Sequence, residues 1–400
     1  MNSHSINRMF CIIPPYVFEK MLESKDKAVR DSALTSMMMS SQIRGERIAS
    51  ALMGNLALSA SGNGRRTVFD CHNSFSLNGA VLARSEDGPA SGDDSANRLF
   101  DGLGITRDFL ADVLDRNSLD DQGGRLDGYV HYGIDYNNAT FDGSVMRFGD
   151  GDGDQFTDFT LSLDVIAHEL GHGVTQFTSD LVYENQSGAL NESFSDVFGS
   201  LVKQWSENQT VDQADWIIGK DVWTPGVNGD ALRSLKSPGE AYVNHPVFGT
   251  DPQPSHFRKY IPLPLSRDNG GVHLYSGIPN KAFYETAMRI GGNAWEVSGQ
   301  VWYQALRESN KNATFQDFAT STHEEAKTNW GTDVAQSVAE GWKEVGIVIA
   351  GASFGTSRGS RRDPSTGNVS LADIMRELGK ITDRIDALEK PKTATSRRKS

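Results

Sequence analysis

The strongest constraint on this 400-residue chain is the run H-E-L-G-H at residues 168–172, which has apolar residues on both sides. The pattern predicts a helix, and on a helix two histidines four residues apart lie on one face, about one turn apart. Two imidazoles so placed can bind one zinc ion, and Glu169 can act as general base on a zinc-bound water. An ordinary amphipathic helix is the alternative, but burying two histidines and a glutamate without partners is costly.

A second segment offers the ligand that two histidines lack. The run N-E-S-F-S-D at residues 191–196 is predicted to begin another helix, 19 residues after His172. Glu192 is placed as a third ligand, which leaves one zinc position open for water. Asp196 lies four residues further on the same face and can accept the free N–H of a ligating histidine. Taken alone, Asp196 would more often be a solvated helix residue.

A third segment, D-N-G-G-V-H at residues 268–273, is expected to form a loop. Asp268 precedes His273 across a Gly-Gly turn and could fold back to orient the imidazole. A positively charged, oriented imidazole can stabilise an oxyanion. A lone loop histidine is usually an ordinary surface residue, so this interpretation depends on the other two segments.

Composition excludes several classes of protein. The net charge of −13 argues against a general nucleic-acid binder, although it does not exclude a local basic patch. No apolar run is long enough to span a membrane. The two cysteines, Cys11 and Cys71, cannot build a disulfide scaffold or a cysteine zinc cage. No Sec signal is evident, so we expect the protein to be cytoplasmic or secreted by a non-classical route.

Five regions are predicted along the chain. Residues 1–50 form a short leader with one extended piece and a charged helical stretch at 18–47. Residues 51–165 form a β-rich lobe with strands near 66–70 and 128–134 and a helix near 105–115. Residues 166–351 are mainly helical, and 352–369 form a linker. The helices of that lobe are expected near 161–178, 191–207, 278–290, 294–308 and 314–328.

The last region, residues 370–390, carries an apolar seam with heptad spacing. The residues of the seam are Leu371, Ile374, Leu378, Ile381, Ile385 and Leu388. A short coiled coil that makes a homo-oligomer is one interpretation. A helix that docks on its own domain, or is marginal in solution, is the other.

The three motifs, in this order and spacing, resemble the thermolysin family of neutral zinc metallopeptidases, and the resemblance extends from about residue 66 to 349. Thermolysin itself has a two-histidine, one-glutamate zinc site. The resemblance implies an α+β, two-lobed zincin: a β-rich N-terminal lobe, a helical C-terminal lobe and the active-site helix between them. It implies a zinc endopeptidase that acts on proteins and peptides. A catalytically silent binding module and a purely structural zinc site are the alternatives.

The resemblance also implies roles for individual residues. His168, His172 and Glu192 would bind one zinc ion, and Glu169 would be the catalytic base. The residues implied to support them are Asn191 and Asp196 beside the ligating histidines, His273 with Asp268 and Tyr183 at the oxyanion, and Asn138, Ala139 and Arg233 on the substrate backbone. An apolar pocket, which implies cleavage before bulky hydrophobic residues, would be lined by Phe156, Phe159, Val165, Ile218 and Leu232. Taken singly, the pocket residues would be plain core and Arg233 a surface ion pair.

The leader, with Pro14-Pro15-Tyr16, is similar to the protealysin branch of that family, whose propeptides are about this short. The resemblance implies that the leader inhibits the active site and is removed by a cut within residues 47–62. An N-terminal arm that packs permanently is the alternative.

The chain departs from the family where a double calcium site is often found. The matching positions carry Asp164, Lys203, Asp215, Ile217, Lys220 and Asp221. A lysine ammonium cannot ligate a cation, so we expect the double calcium site to be absent. Lys203 and Lys220 would instead pair with the aspartates. The Gly-Asp run at 150–154 is expected to be a loop that could still hold a calcium ion.

Overall fold

A six-stranded mixed sheet forms the N-terminal lobe in this computed structural model, which describes residues 10–52, 62, 64–227, 229 and 231–352, with the backbone alone at 45–52. Its strands are β1 (Phe10–Cys11), β2 (Arg66–Asp70), β3 (Val81–Ser85), β4 (Leu126–Val130), β5 (Ala139–Phe141) and β6 (Met146–Phe148). They follow the order β1-β5-β6-β4-β2-β3. The β2–β4 and β4–β6 pairs are parallel, and the others are antiparallel.

The crossover from the β2–β3 hairpin to β4 contains helix α3 (Asp94–Asp112), which is longer than the helix predicted near 105–115. It begins earlier because the Asp93 side chain accepts a hydrogen bond from the N–H of Ala96, at 2.8 Å. Two glycines weaken the helical pattern in the sequence, yet both serve packing. A Cβ on Gly102 would lie 2.7 Å from Ile166, and one on Gly104 would lie 2.1 Å from Arg66.

The rest of the chain is mainly helical, as predicted, and confirms the α+β class. The helices are α4 (Leu163–Gln176), α5 (Asn185–Ser206), α6 (Asp268–Tyr275), α7 (Gly277–Ile290), α8 (Ser298–Glu308), α9 (Phe315–Asn329) and α10 (Thr332–Glu344), with a small ribbon of β7 (Ile217–Ile218) and β8 (Arg233–Ser234). The sequence did not predict α10, and the predicted lobe boundary at 165/166 falls inside α4. The domain boundaries therefore stay a prediction.

Helices α4 and α5 approach each other closely because glycines lie where they meet. A Cβ on Gly199 would come within 2.4 Å of the Asp164 carbonyl oxygen, and one on Gly171 within 3.0 Å of the Ser195 Cα. Such contacts are shorter than side chains allow, so a larger residue would separate the helices. This close approach brings the α5 side chains to the histidines of α4.

The leader contains β1 followed by two helices, α1 (Pro15–Leu22) and α2 (Lys27–Leu52), where the sequence predicted one helical stretch. The break lies at residues 23–26, where the Asp26 side chain accepts from the N–H of Ala28 at 2.8 Å. Helix α2 docks on the catalytic body, since Ser36 Oγ accepts from the N–H of Asn137 at 2.9 Å. Ser32 Oγ donates to Asp152 Oδ2 at the same distance.

The predicted heptad helix at 370–390 lies outside the described residues, as does nearly all of the predicted linker. In the part of the chain that is described, no helix combines the length and the apolar character needed to cross a bilayer.

Candidate active site

Three side chains from α4 and α5 meet in the interior of the protein. The Nε2 atoms of His168 and His172 lie 3.0 Å apart. Glu192 Oε2 is 3.6 Å from the first of these atoms, and Glu192 Oε1 is 3.5 Å from the second. All three side chains are fully buried. Among the His, Cys, Asp and Glu side chains of the described residues, these three lie close enough together to hold a metal ion.

These distances fit zinc. A tetrahedral zinc ion with ligand bonds of about 2.0–2.1 Å separates its ligand atoms by about 3.3–3.4 Å. The three observed separations run from 3.0 to 3.6 Å. Glu192 Oε2 also has no hydrogen-bond partner although it is buried. A buried carboxylate oxygen that faces two imidazole nitrogens is a donor set for a cation.

The other nitrogen of each imidazole is held by a fixed partner. His172 Nδ1 lies 2.8 Å from Asn191 Oδ1 and 3.0 Å from Ser195 Oγ. His168 Nδ1 lies 2.9 Å from Asp196 Oδ1. Donation from His172 Nδ1 to Asn191 Oδ1, and the attraction of a proton on His168 Nδ1 by the Asp196 carboxylate, leave the Nε2 lone pairs facing the cluster. The sequence predicted Asn191 and Asp196 here, but not Ser195, whose spacing after Asn191 carries no distinct signal.

Asp196 also connects the metal cluster to the substrate side of the site. Its carboxylate accepts from Arg233 Nη2 at 2.7 Å and from Asn280 Nδ2 at 2.9 Å. Burial acts to raise the pKa of Asp196, but the Arg233 guanidinium and His168 outweigh it and lower that pKa. Asp196 is therefore ionised while fully buried, and Arg233 is fixed by it rather than forming a surface ion pair.

Glu169 follows His168 on α4 and is fully buried. Neither of its carboxylate oxygens has a hydrogen-bond partner among the described residues. Burial, followed by the nearby charge of Glu192, raises the pKa of Glu169 well above its usual range. A carboxyl group with no structural bond and a raised pKa is suited to take and give a proton.

His273 lies on helix α6, where the sequence predicted a loop. Residues 269–271 have positive φ angles of 49°, 84° and 89°, and Asp268 before them has one of 49°, so right-handed helical geometry begins only at Val272. The turn places Asp268 Oδ1 2.5 Å from His273 Nδ1, and its Oδ2 accepts from the main-chain N–H of the same histidine at 2.9 Å. Burial opposes protonation, but Glu192 and Asp268 raise the pKa of His273 well above its usual value.

Two more residues complete this side of the cleft. The Tyr183 hydroxyl donates to Glu192 Oε1 and lies 3.3 Å from His273 Nε2. Gln253 Nε2 donates to the His273 carbonyl oxygen at 2.7 Å and lies 3.1 Å from Ser276 Oγ. Gln253 was not predicted, since a single glutamine in a loop carries no motif.

The cleft contains the leader. Strand β1 pairs antiparallel with the edge strand β5, with Phe10 opposite Phe141 and Cys11 opposite Thr140. The Phe10 ring stacks on His172, with ring centres 4.3 Å apart. The N–H of Ile12 donates to the Ala139 carbonyl oxygen at 3.1 Å.

The side chains expected to bind substrate contact the same segment. Arg233 Nη1 donates to the Ile12 carbonyl oxygen at 2.7 Å. The N–H of Ile13 donates to Asn138 Oδ1 at 3.0 Å. His273 Nε2 lies 3.0 Å from the Cys11 carbonyl oxygen. The structure thus brings the predicted substrate-binding residues together around residues 11–13.

The five predicted pocket residues, Phe156, Phe159, Val165, Ile218 and Leu232, are all buried and belong to one apolar core that also contains Ile12. Phe156 stacks on Trp223 with ring centres 5.0 Å apart and lies 5.7 Å from the Phe248 ring. The sequence did not predict these two aromatic neighbours, because they come from loops far along the chain.

An ion-pair cluster occupies the positions that match the calcium ligands of the resembled family. Lys203 Nζ lies 2.9 Å from Asp215 Oδ2 and 3.3 Å from Asp164 Oδ2. Asp164 is 1% exposed and also accepts from Ser162 Oγ at 2.7 Å. Lys220, expected to share this role, forms no ion pair within the described part of the chain.

The Gly-Asp run at 150–154 is a loop, as predicted. The Asp152 carboxylate accepts from the main-chain N–H groups of residues 154, 155 and 156, so it serves the turn. Asp150 pairs with His131 Nδ1 at 2.8 Å, and Asp93 pairs with Nε2 of the same ring at 2.7 Å.

Comparison with known proteins places the chain in a family. Residues 71–176 match a model described as the thermolysin metallopeptidase catalytic domain, and residues 179–347 match the α-helical domain of the same metallopeptidases. The chain belongs to the thermolysin metallopeptidase family. With its buried His-His-Glu cluster, this member is a zinc metalloendopeptidase that acts on proteins and peptides, and the predicted two-lobed thermolysin-like fold is confirmed.

Its relatives include proteins that match this chain over nearly their whole length. "Extracellular metalloprotease" of Pectobacterium carotovorum is 42% identical over 352 residues, 86% of this chain and 98% of the relative. Protease PrtS of Photorhabdus is 41% identical and covers 84% of this chain and 92% of its own. The precursor of protealysin from Serratia proteamaculans has the same fold, with a TM-score of 0.76, 42% identity and coverage of 85% of this chain and all of its own. The predicted protealysin-like branch is confirmed.

The relatives also correct the expected localisation. The absence of a Sec signal led to the expectation of a cytoplasmic protein or non-classical release, and this expectation is wrong. The Pectobacterium relative is named an extracellular metalloprotease, and a Staphylococcus epidermidis relative, 44% identical over 248 residues, is named an extracellular elastase. A leader that folds onto the enzyme does not resemble a signal peptide, so the sequence pattern was uninformative.

Proposed function

We propose that this enzyme cleaves peptide bonds before bulky hydrophobic residues and is made as a precursor whose leader blocks the active site. The observation that carries the proposal is the buried triangle of His168, His172 and Glu192 donor atoms beside the uncommitted carboxyl group of Glu169. The two-histidine, one-carboxylate set leaves a position for water, as catalytic zinc sites do.

The residues divide the work of hydrolysis. A zinc ion held by His168, His172 and Glu192 would polarise the scissile carbonyl group and acidify the attacking water. Glu169 takes a proton from that water and delivers it to the leaving nitrogen. His273 and Tyr183 donate hydrogen bonds to the carbonyl oxygen, and these bonds stabilise the negative charge that develops there. Asp268 positions His273 and holds its Nδ1 proton.

Asn138, Ala139 and Arg233 hold the substrate main chain. Support comes from the leader, whose Ile12 and Ile13 make main-chain hydrogen bonds to these three residues. Specificity resides in the apolar pocket next to Arg233. A pocket of this kind separates side chains that differ by one methylene only about 10–200-fold, so we expect a broad preference for large apolar residues.

The leader inhibits by occupying the cleft. It fills the edge of β5, contacts the oxyanion donor His273 and buries Phe10 against the zinc ligand His172. A substrate needs the same strand edge and the same donors. The leader would be removed by a cut within residues 47–62, most of which lie outside the described residues.

Calcium is replaced by an ammonium group at the family's double site. Lys203 lies between Asp164 and Asp215, where it neutralises the carboxylates that calcium would need. Millimolar calcium should leave the melting temperature of the wild-type protein unchanged, whereas a calcium-dependent rise that Asp164→Asn abolishes would contradict this proposal.

The net charge of −13 favours action without nucleic acid or membrane. Homo-oligomerisation through the heptad segment at 370–390 is tested by deleting residues 365–400 and comparing masses in solution. Full-length and truncated proteins that are both monomers would contradict it.

The activity is tested with casein and a leucine-containing peptide, using processed protein with and without a chelator. Glu169→Gln should lower kcat by about 10²–10⁴-fold, the usual contribution of a general base, while the zinc content stays near one per chain. Glu308→Gln, an exposed glutamate on α8, is the matched control and should retain full activity. Equal turnover by wild type and Glu169→Gln would refute the assigned base.

A further inference from the structure

We propose that the leader is itself a slow substrate of this enzyme, which cuts it between Cys11 and Ile12. The inference rests on the proposed endopeptidase function and adds a second processing bond, distinct from the cut expected within residues 47–62. The choice of this bond follows from the contacts that the leader makes with the catalytic and substrate-binding residues.

The position of the carbonyl group identifies the bond. His273 donates to the oxyanion in the proposed mechanism, and in the structure its Nε2 lies 3.0 Å from the Cys11 carbonyl oxygen. The carbonyl that meets the oxyanion donor belongs to the acyl side of the scissile bond. The nitrogen attached to that carbonyl is the nitrogen of Ile12, which would be the leaving group.

The residues after this bond are held as a substrate would be held. The N–H of Ile12 donates to Ala139, its carbonyl oxygen accepts from Arg233, and the N–H of Ile13 donates to Asn138. Three consecutive polar groups of the leader main chain are thus paired with the three residues assigned to substrate backbone. The leader therefore runs through the cleft in the direction required for cleavage.

Side chains agree with this register. Ile12 is an apolar residue with no exposed surface, and it belongs to the continuous core of the protein, of which the pocket residues are also part. A bulky apolar residue directly after the bond is the preference proposed for this pocket. Pro14, two residues further, has no N–H that would need a partner, and α1 begins directly after it.

The same contacts explain why cleavage is slow. After hydrolysis, Phe10 and Cys11 remain paired with β5, and α1 and α2 still anchor the part that begins at Ile12. The new amine stays beside the new carboxylate, so the bond can re-form before either product leaves. Slow release of fragments, rather than poor chemistry, sets the rate.

The reaction is an ordinary amide hydrolysis and balances without a co-reactant. The water oxygen bonds to the Cys11 carbonyl carbon, and the bond from that carbon to the Ile12 nitrogen breaks. Glu169 passes one water proton to that nitrogen. The products are a Cys11 carboxylate and an Ile12 amine.

The test uses the full-length chain, purified metal-free and then given zinc in water enriched in ¹⁸O. Mass spectrometry should find a peptide that ends at Cys11 and carries at least one ¹⁸O in its new carboxylate, together with a species that begins at Ile12. If casein is hydrolysed while the Cys11–Ile12 bond stays intact in every leader fragment, the inference is overturned and the peptidase function stands. If casein is not hydrolysed either, the proposed function fails and the inference fails with it.

Two leader variants separate cleavage from folding. Ile12→Asp should reduce the cut at this bond at least ten-fold, because a carboxylate does not enter an apolar pocket, whereas Ile12→Leu should retain the cut. A binding readout needs no catalysis: in the metal-free chain, Ile12→Asp should raise the rate of trypsin cutting after Lys20 and Lys27 at least ten-fold, because the undocked leader can unfold into the protease, and Ile12→Leu should not. Equal cutting at the bond in both variants would overturn the assigned register.

Discussion

Phe10→Ala, a truncation of the first residue of β1, should release the leader from the cleft. Phe10 is fully buried and contacts two residues of the active site. Its ring stacks on His172 at 4.3 Å and meets the Tyr183 ring edge-on at 4.8 Å. The substitution removes both contacts but leaves the main-chain pairing with β5 in place.

The magnitude follows from the buried area. A phenylalanine buries about 150–250 Å², which at about 25 cal/mol/Å² corresponds to about 4–6 kcal/mol. Measured losses of stability for Phe→Ala in protein cores are about 3–5 kcal/mol. The area-based figure is an upper bound, because an undocked segment already buries part of this area. We therefore expect docking of the leader to weaken by about 3 kcal/mol, which raises the undocked fraction roughly 100-fold.

The assay is limited proteolysis of the metal-free, full-length chain, in which the enzyme cannot act on itself. Trypsin cuts the leader at exposed Lys20 and Lys27, and the cutting rate follows the undocked fraction when docking is fast. Leu34→Ala, a leader residue that is 50% exposed, is the matched control and should change the rate less than two-fold. A less than five-fold increase for Phe10→Ala, or equal increases for both variants, would refute the docking argument.

Three further predictions concern the catalytic body. Asp268→Asn should lower kcat by about 10²-fold with little change in KM, since it affects the orientation and charge of His273 in the transition state; a change confined to KM would contradict this. Lys203→Ala should lower the free energy of unfolding by about 2 kcal/mol in urea titrations, because Asp164 keeps its other hydrogen bonds but loses its buried counter-charge; an unchanged value would contradict it. His131 has its pKa raised to about 9 by Asp150 and then Asp93, so its stabilising effect is complete below about pH 6.5 and lost as the pH rises through 9. The stability difference between wild type and His131→Gln should therefore be larger at pH 6 than at pH 10, and the opposite order would contradict the assignment.

The catalytic cluster was predictable because its spacing is local. Two histidines four residues apart share a helix face wherever that helix lies, and Asn191, Glu192 and Asp196 share the next helix. The start of α5 was misplaced by six residues, since Asn185 has a positive φ of 52° and Glu184 caps the helix without a side-chain hydrogen bond. Boundaries of this kind carry little sequence signal.

Other features depended on contacts between distant parts of the chain. The run D-N-G-G at 268–271 does form a turn, with positive φ throughout, but the sequence did not show that a helix begins at Val272. The bond from the His273 N–H to Asp268 Oδ2 joins the turn to that helix. Helix α10 follows Gly331, which offers no capping side chain. Residues 10–13 are held in the cleft by residues 125 or more positions away along the chain. The sequence of the leader alone therefore left a permanently packed N-terminal arm as an alternative.

The central claim is that one zinc ion binds between His168, His172 and Glu192. Elemental analysis of the purified full-length chain and of Glu192→Ala, with Glu308→Ala as control, tests it directly. We predict about one zinc per chain in the wild type and the control, and a loss of most zinc in Glu192→Ala with the fold retained by circular dichroism. A wild-type chain without zinc, or full zinc retention in Glu192→Ala, would contradict the account.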